Sequence, residues 1–184
     1  KSGVSKWMIN RRRRLIGNVT QQLQRIMSHE SGSAAFPSRQ DFDPTGDCLD
    51  ANHAWEMFGG LTIDQASLKF LEHPQYYQED FMFMGGVAFR YYFPVLDRYI
   101  RDVKIDPKLD DEAEALWILG YAIKAQLEPD NVALVEPIIH GIHDLTRHVR
   151  GNLFDYGAEQ EDRDRIDSSW AELAETLSTL SKAG

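Results

Sequence analysis

The sequence predicts an all-α protein: a single compact domain of about seven helices with a basic amphipathic helix in front of it. Three observations carry that expectation. Apolar residues return at spacings of three and four in one segment after another. Glycine, proline and capping residues punctuate those segments at helical lengths, and no apolar–polar alternation runs beyond a few residues. With 184 residues and 42% hydrophobic content, the chain is large enough to bury a core without a metal or a disulfide. Cys48 is the only cysteine, so no intrachain disulfide exists.

From Lys6 to His29, Leu15, Ile16, Val19, Leu23, Ile26 and Met27 mark one face of a helix. Residues 1–30 are therefore expected to be a basic helical arm. Residues 31–50, rich in Ser, Gly, Pro and Asp, are expected to be a linker or an ordered loop, and residues 51–184 an acidic helical domain. Ala51 to Phe58 predicts a short helix ended by Gly59-Gly60. Thr62-Ile63-Asp64-Gln65 is a capping box, with Leu61 placed to staple it, and its helix should run to Glu72 before Pro74. The segment after it predicts two helical pieces hinged at Gly85-Gly86, the second bent or restarted at Pro94.

Asp110 or Asp111 should cap a helix reaching about Leu127, with Asp111, Glu112 and Glu114 in its first turn suiting the helix dipole. Residues 131–150 predict a helical stretch interrupted at Pro137. Ile166, Trp170, Leu173, Leu177 and Leu180 give the clearest amphipathic helix in the chain.

Net charge is −9, but it is unevenly placed. Residues 1–30 hold seven Lys and Arg against Glu30, a balance of +6, while the rest holds 13 against 28, a balance of −15. A body this negative repels nucleic acid and anionic membrane and attracts basic partners. The run Arg11 to Arg14 fans around its helix and suits docking on the chain's own acidic body or on a second copy, hence a homodimer through the arm. No apolar run approaches the roughly 20 residues of a membrane span, and a cytoplasmic location is expected.

The densest set of ligand-capable side chains is His140, His143, Asp144, Arg147 and His148. On a helix His140, Asp144 and His148 fall at i, i+4 and i+8, where two imidazoles and a carboxylate suit a divalent metal. A solvated, ion-paired helix face explains the same residues. The His143-Asp144 doublet resembles that of the HD phosphohydrolases, whose separate upstream His and downstream Asp have no counterpart here. Asp41, Asp43 and Thr45, with Gly46 sixth, match the start of a calcium loop, but position twelve is Asn52 instead of a glutamate. An Asp-Pro-Thr-Gly turn is the simpler reading.

Residues 76–99 concentrate the aromatics. Phe89, Phe93, Leu96 and Ile100 follow helical spacing and are expected in the core. Tyr91, Tyr92 and Tyr99 are placed to line a groove, and the partner-binding candidates are Glu79, Asp80, Arg90, Tyr91, Tyr92, Asp97 and Arg98. Phe89-Arg90-Tyr91-Tyr92-Phe93-Pro94-Val95 resembles the Phe-x-x-Tyr-Leu-Pro-Ala signature of a family of small uncharacterised bacterial proteins, over about 25 residues, with Phe-Pro-Val in place of Leu-Pro-Ala. The resemblance implies a bacterial, cytoplasmic, helical protein and supplies no activity and no site residues.

No nucleophile elbow, phosphate loop or dinucleotide fingerprint is present. Cys48 sits beside Asp47 and Asp50, which disfavour its thiolate, and His53 shares a short helical face with Glu56. The expectation is a non-enzymatic acidic helical protein that binds a basic protein partner, in the manner of immunity or antitoxin proteins, without a cofactor. The alternative is a metal-binding protein or metal-dependent hydrolase centred on the 140–148 helix.

Overall fold

The computed structural model describes residues 35–102, 110–157 and 159–183. The basic arm expected over residues 1–30 lies outside them. Every regular element among the described residues is a helix, and together they bury one continuous core, as the periodicity predicts.

Residues 35–50 are an ordered segment. Ser38 caps a single turn, α1 (Arg39–Phe42), and Asp41 answers it by accepting from the Ser38 amide at 2.7 Å. Phe42 is fully buried against the rings of Trp55 and Tyr92. The turn that follows is held by Asp43, after which the Cys48 sulfur caps α2 (Leu49–Phe58).

Gly60 takes a left-handed φ of +74° at the end of α2. The Thr62–Gln65 box then forms with both reciprocal bonds and starts α3 (Ile63–Glu72). Pro74 opens the single turn α4 (Pro74–Tyr77), where its missing N–H costs nothing. The turn α5 (Asp80–Phe83) precedes the expected hinge. Gly85 donates its amide to Phe42 O at 2.7 Å, and a Cβ there would lie 2.5 Å from Asp41 O, so only glycine lets these two backbones meet.

The long helix α6 (Gly86–Asp102) continues through Pro94 as one element instead of restarting there. An internal proline costs a helix about 3 kcal/mol. Burial of Phe89, Tyr92, Leu96, Tyr99 and Ile100 along the same face outweighs it at about 1.5–3 kcal/mol per large side chain. α6 packs on α3, α1 and α8 and so forms the spine of the domain.

The second half comprises α7 (Asp110–Ala125), α8 (Pro129–Val135), a 3-10 turn (Glu136–Ile138) marking the interruption at Pro137, α9 (Ile139–Gly151), the turn α10 (Leu153–Tyr156) and α11 (Gln160–Ala183). α11 buries Ile166, Trp170, Leu173 and Leu177 against α7 and α9. Trp170 Nε1 donates to Leu116 O at 2.8 Å, so the indole loses no hydrogen bond on burial. Among the described residues no helix is long and apolar enough to cross a membrane.

Candidate functional site

A carboxylate belongs in water unless something compensates its burial. Asp80 is only 5% exposed, at the start of α5. Packing of α2 on α5 brings His53 to it: His53 Nδ1 stands 2.7 Å from Asp80 Oδ1. The other carboxylate oxygen, Oδ2, is buried without a hydrogen-bond partner among the described residues, as is Oε1 of the neighbouring Gln78. Burial pushes the Asp80 carboxyl above the usual carboxylate range; the hydrogen bond and charge of His53 and the charge of Lys69 pull it back, while Glu79 raises it further.

On its other edge, His53 Nε2 lies 3.1 Å from the Tyr76 hydroxyl. A buried carboxylate, an imidazole and a surface phenol thus form one chain of hydrogen bonds from the interior to solvent. With Asp80 ionised, Nδ1 carries a ring proton and donates it; Nε2 accepts from the Tyr76 hydroxyl when unprotonated and donates to its oxygen when protonated. Tyr76 is also held edge-on by the rings of His53 and Tyr77, at centroid distances of 5.7 and 5.1 Å. Chemically, the arrangement orients an imidazole and holds an exposed phenol in one place.

The partner-binding candidates divide. Tyr92 is fully buried and donates to the carbonyls of Phe58 and Leu61 at 2.6 and 2.9 Å, so it ties α6 to the end of α2 and presents nothing to a partner. Tyr99 is likewise buried, against Phe70. Asp80 is corrected from a polar rim to a buried group, because α2 covers it. Arg98 pairs with Asp64 at 2.7 Å, Asp97 with Arg101 at 2.8 Å, and Arg90 reaches Leu134 O. Tyr91 is half-buried beside Phe36, and Glu79 is exposed. Two of the seven, Asp80 and Tyr92, are thus buried.

On α9, His140 is almost wholly in solvent and lies 3.4 Å from Asp144, which also accepts from Arg147 at 3.0 Å. His148 is half-buried and engages another group, its Nε2 at 3.0 Å from the Tyr156 hydroxyl. Tyr156 also donates to Ile100 O, and burial pushes its phenol up to about 12. Among the described residues no group of three or more His, Cys, Asp and Glu side chains is arranged to hold a metal ion. In the calcium-like turn, Asp43 accepts from the Thr45 hydroxyl, the Gly46 and Cys48 amides and the Asn52 side chain. Its oxygens are engaged by these donors, and Asp41 is committed to Ser38, which makes the segment a capped turn.

His53, Tyr76 and Asp80 are the residues that local reading left apart. His53 pairs by spacing with Glu56, whereas its partner in space is 27 residues further on. The available signal was the crowding of Tyr76, Tyr77, Glu79 and Asp80 behind Pro74, which predicts a short polar–aromatic turn without naming what it faces.

No protein-family model matches the chain, no curated protein matches it, and no solved structure matches it. The class is therefore defined by fold and surface: a domain whose every regular element among the described residues is a helix, in which a buried aspartate is bonded to a partly exposed histidine that reaches an exposed tyrosine. The resemblance over Phe89 to Val95 rests on those residues alone.

Proposed function

We propose that this chain is an interaction protein that binds a basic protein partner through its exposed carboxylates. One observation carries the reading: every described arginine already has an acceptor within the chain. Arg98, Arg101, Arg147, Arg150 and Arg165 pair with carboxylates, and Arg39, Arg90 and Arg163 with amide or carbonyl oxygens. Lys124 is likewise held by Glu172 at 2.7 Å.

The described arginines and Lys124 are thus engaged within the chain, while Asp50, Glu56, Glu72, Glu79, Glu128 and Glu175 are exposed with no ion pair among the described residues. Excess charge of one sign on a stable scaffold repels itself and contributes little to folding, but it accelerates encounter with an oppositely charged protein. An acidic binder of the immunity or antitoxin kind, acting in the cytoplasm of a bacterium, fits this surface.

The test is co-purification of the full chain at low ionic strength from its source cells. A stoichiometric basic protein, released by raised salt and rebinding when salt is removed, is the expected result. Recovery of the chain alone at every salt concentration overturns the reading.

A further inference from the structure

We infer that Tyr76, with the exposed carboxylates around His53, is the site that receives a cationic side chain, arginine or lysine, of that basic partner. This deepens the proposed function and rests on it.

The ring is 60% exposed, yet its position is set by the His53 hydrogen bond and by two edge-on ring contacts. An exposed aromatic already fixed in one rotamer loses little entropy when a partner covers it, which is the property of a binding anchor. The face of a tyrosine ring attracts a cation.

Exposed carboxylates lie near its partner His53 and near Tyr76 along the chain. Asp50 and Glu56 lie three residues either side of His53 on α2, so both share its stripe of the helix, and Glu79 lies three residues beyond Tyr76. All three are exposed, and none is in an ion pair among the described residues. Beneath them the buried Asp80 has His53 as its only side-chain hydrogen-bond partner among the described residues, and as a carboxylate it adds negative charge to the same face.

The chain itself shows how it treats such rings. Arg163 stacks on the exposed Phe154 at 4.8 Å, Arg165 on Trp117 at 5.7 Å, and Lys69 on Tyr77 at 5.2 Å. Among the described residues no cation is stacked on Tyr76. Negative charge, a fixed π face and a ring on which no described cation is stacked favour one occupant: a lysine or arginine from a basic protein.

The experiment is calorimetric titration of the full chain with a synthetic oligo-arginine peptide, at low and raised salt. Tyr76→Ala should weaken binding about fivefold, as expected for one exposed cation–π contact. Tyr76→Leu keeps apolar bulk without the π face and should weaken binding similarly, which separates ring recognition from any loss of packing. The Asp50→Asn, Glu56→Gln double variant should also weaken binding, whereas Glu175→Gln on α11 should have the smallest effect. Salt-sensitive binding that is unchanged in both Tyr76 variants overturns this inference and leaves the proposed function standing. No salt-sensitive binding by the unmodified chain counts against the proposed function, and the site falls with it.

Discussion

Gln126 Nε2 lies 2.9 Å from the carbonyl oxygen of Met84, and the same nitrogen reaches Phe81 O at 3.0 Å and Met82 O at 2.9 Å. One fully buried side chain thus serves the carbonyls at the end of α5, while its Oε1 accepts from Asn131, whose own oxygen takes the Gly86 amide at the start of α6. The break between α5 and α6 is affordable because these backbone groups are satisfied by Gln126, just after α7, and by Asn131 in α8.

Gln126→Ala should therefore destabilise the chain by about 3 kcal/mol, since several buried acceptors lose their donor together. Gln126→Glu should be at least as damaging despite its shape, because it places an acceptor opposite acceptors. Urea denaturation checks both, with a lowered midpoint and an unchanged slope as the signature.

Asp80 should behave as a destabilising group at neutral pH. Its pKa is raised on folding by burial, so the folded state binds its proton more tightly than the unfolded state. Stability from this group is full below the unfolded carboxylate range and is lost as pH rises through the folded value. Asp80→Asn retains an acceptor for His53 and cannot ionise. It should raise the melting temperature at neutral pH, and the gain should disappear in acid.

Asp43 should show the opposite slope. Burial works to raise its pKa, but hydrogen bonds from the Gly46 amide, the Thr45 hydroxyl and the Cys48 amide bring it below the usual carboxylate value. Its contribution is therefore present above the unfolded pKa and lost as pH falls through the folded one. Asp43→Asn, which turns an amide N–H₂ toward donors, should be less stable than the parent at neutral pH and approach it in acid. A pair of melting curves against pH for the two variants separates the signs.

These residues also show how far the sequence can be read. The Thr62–Gln65 box and the end of α3 before Pro74 form as spelled, because their partners are three or four residues away. The all-α architecture follows from the same local spacing. The Asp80–His53 bond depends on α2 packing against α5, and nothing near His53 announces it. Charged residues usually sit at the surface, so Asp80 reads as rim until its neighbours are known. Tyr92 misleads in the same way: its hydroxyl suggests a wet groove, but the carbonyls left by the end of α2, Phe58 and Leu61, supply acceptors inside the core. Periodicity reveals which face of a helix is apolar; which polar atoms meet across helices is a property of the packing.

A close approach of α7 and α11 at Gly120 supplies the last test. A Cβ on Gly120 would stand 2.7 Å from Ser169 Oγ and 3.1 Å from both Ser169 Cβ and Trp170 Cδ1. Ser169 is fully buried with its hydroxyl on Ile166 O, and Trp170 is fixed by Leu116 O, so neither can retreat without losing a hydrogen bond. Alanine is favoured over glycine in a helix by about 1 kcal/mol. Overpacking a tight core site costs about 1–3 kcal/mol, and here the clash should win, leaving Gly120→Ala less stable. Ser169→Gly removes both Ser169 atoms from the contact at the cost of its own hydrogen bond. If the contact is what makes Gly120 necessary, the double variant should lose about 1 kcal/mol less than the sum of the single changes, the coupling expected of touching residues. Strict additivity in chemical denaturation would show that the two helices are further apart than these distances place them.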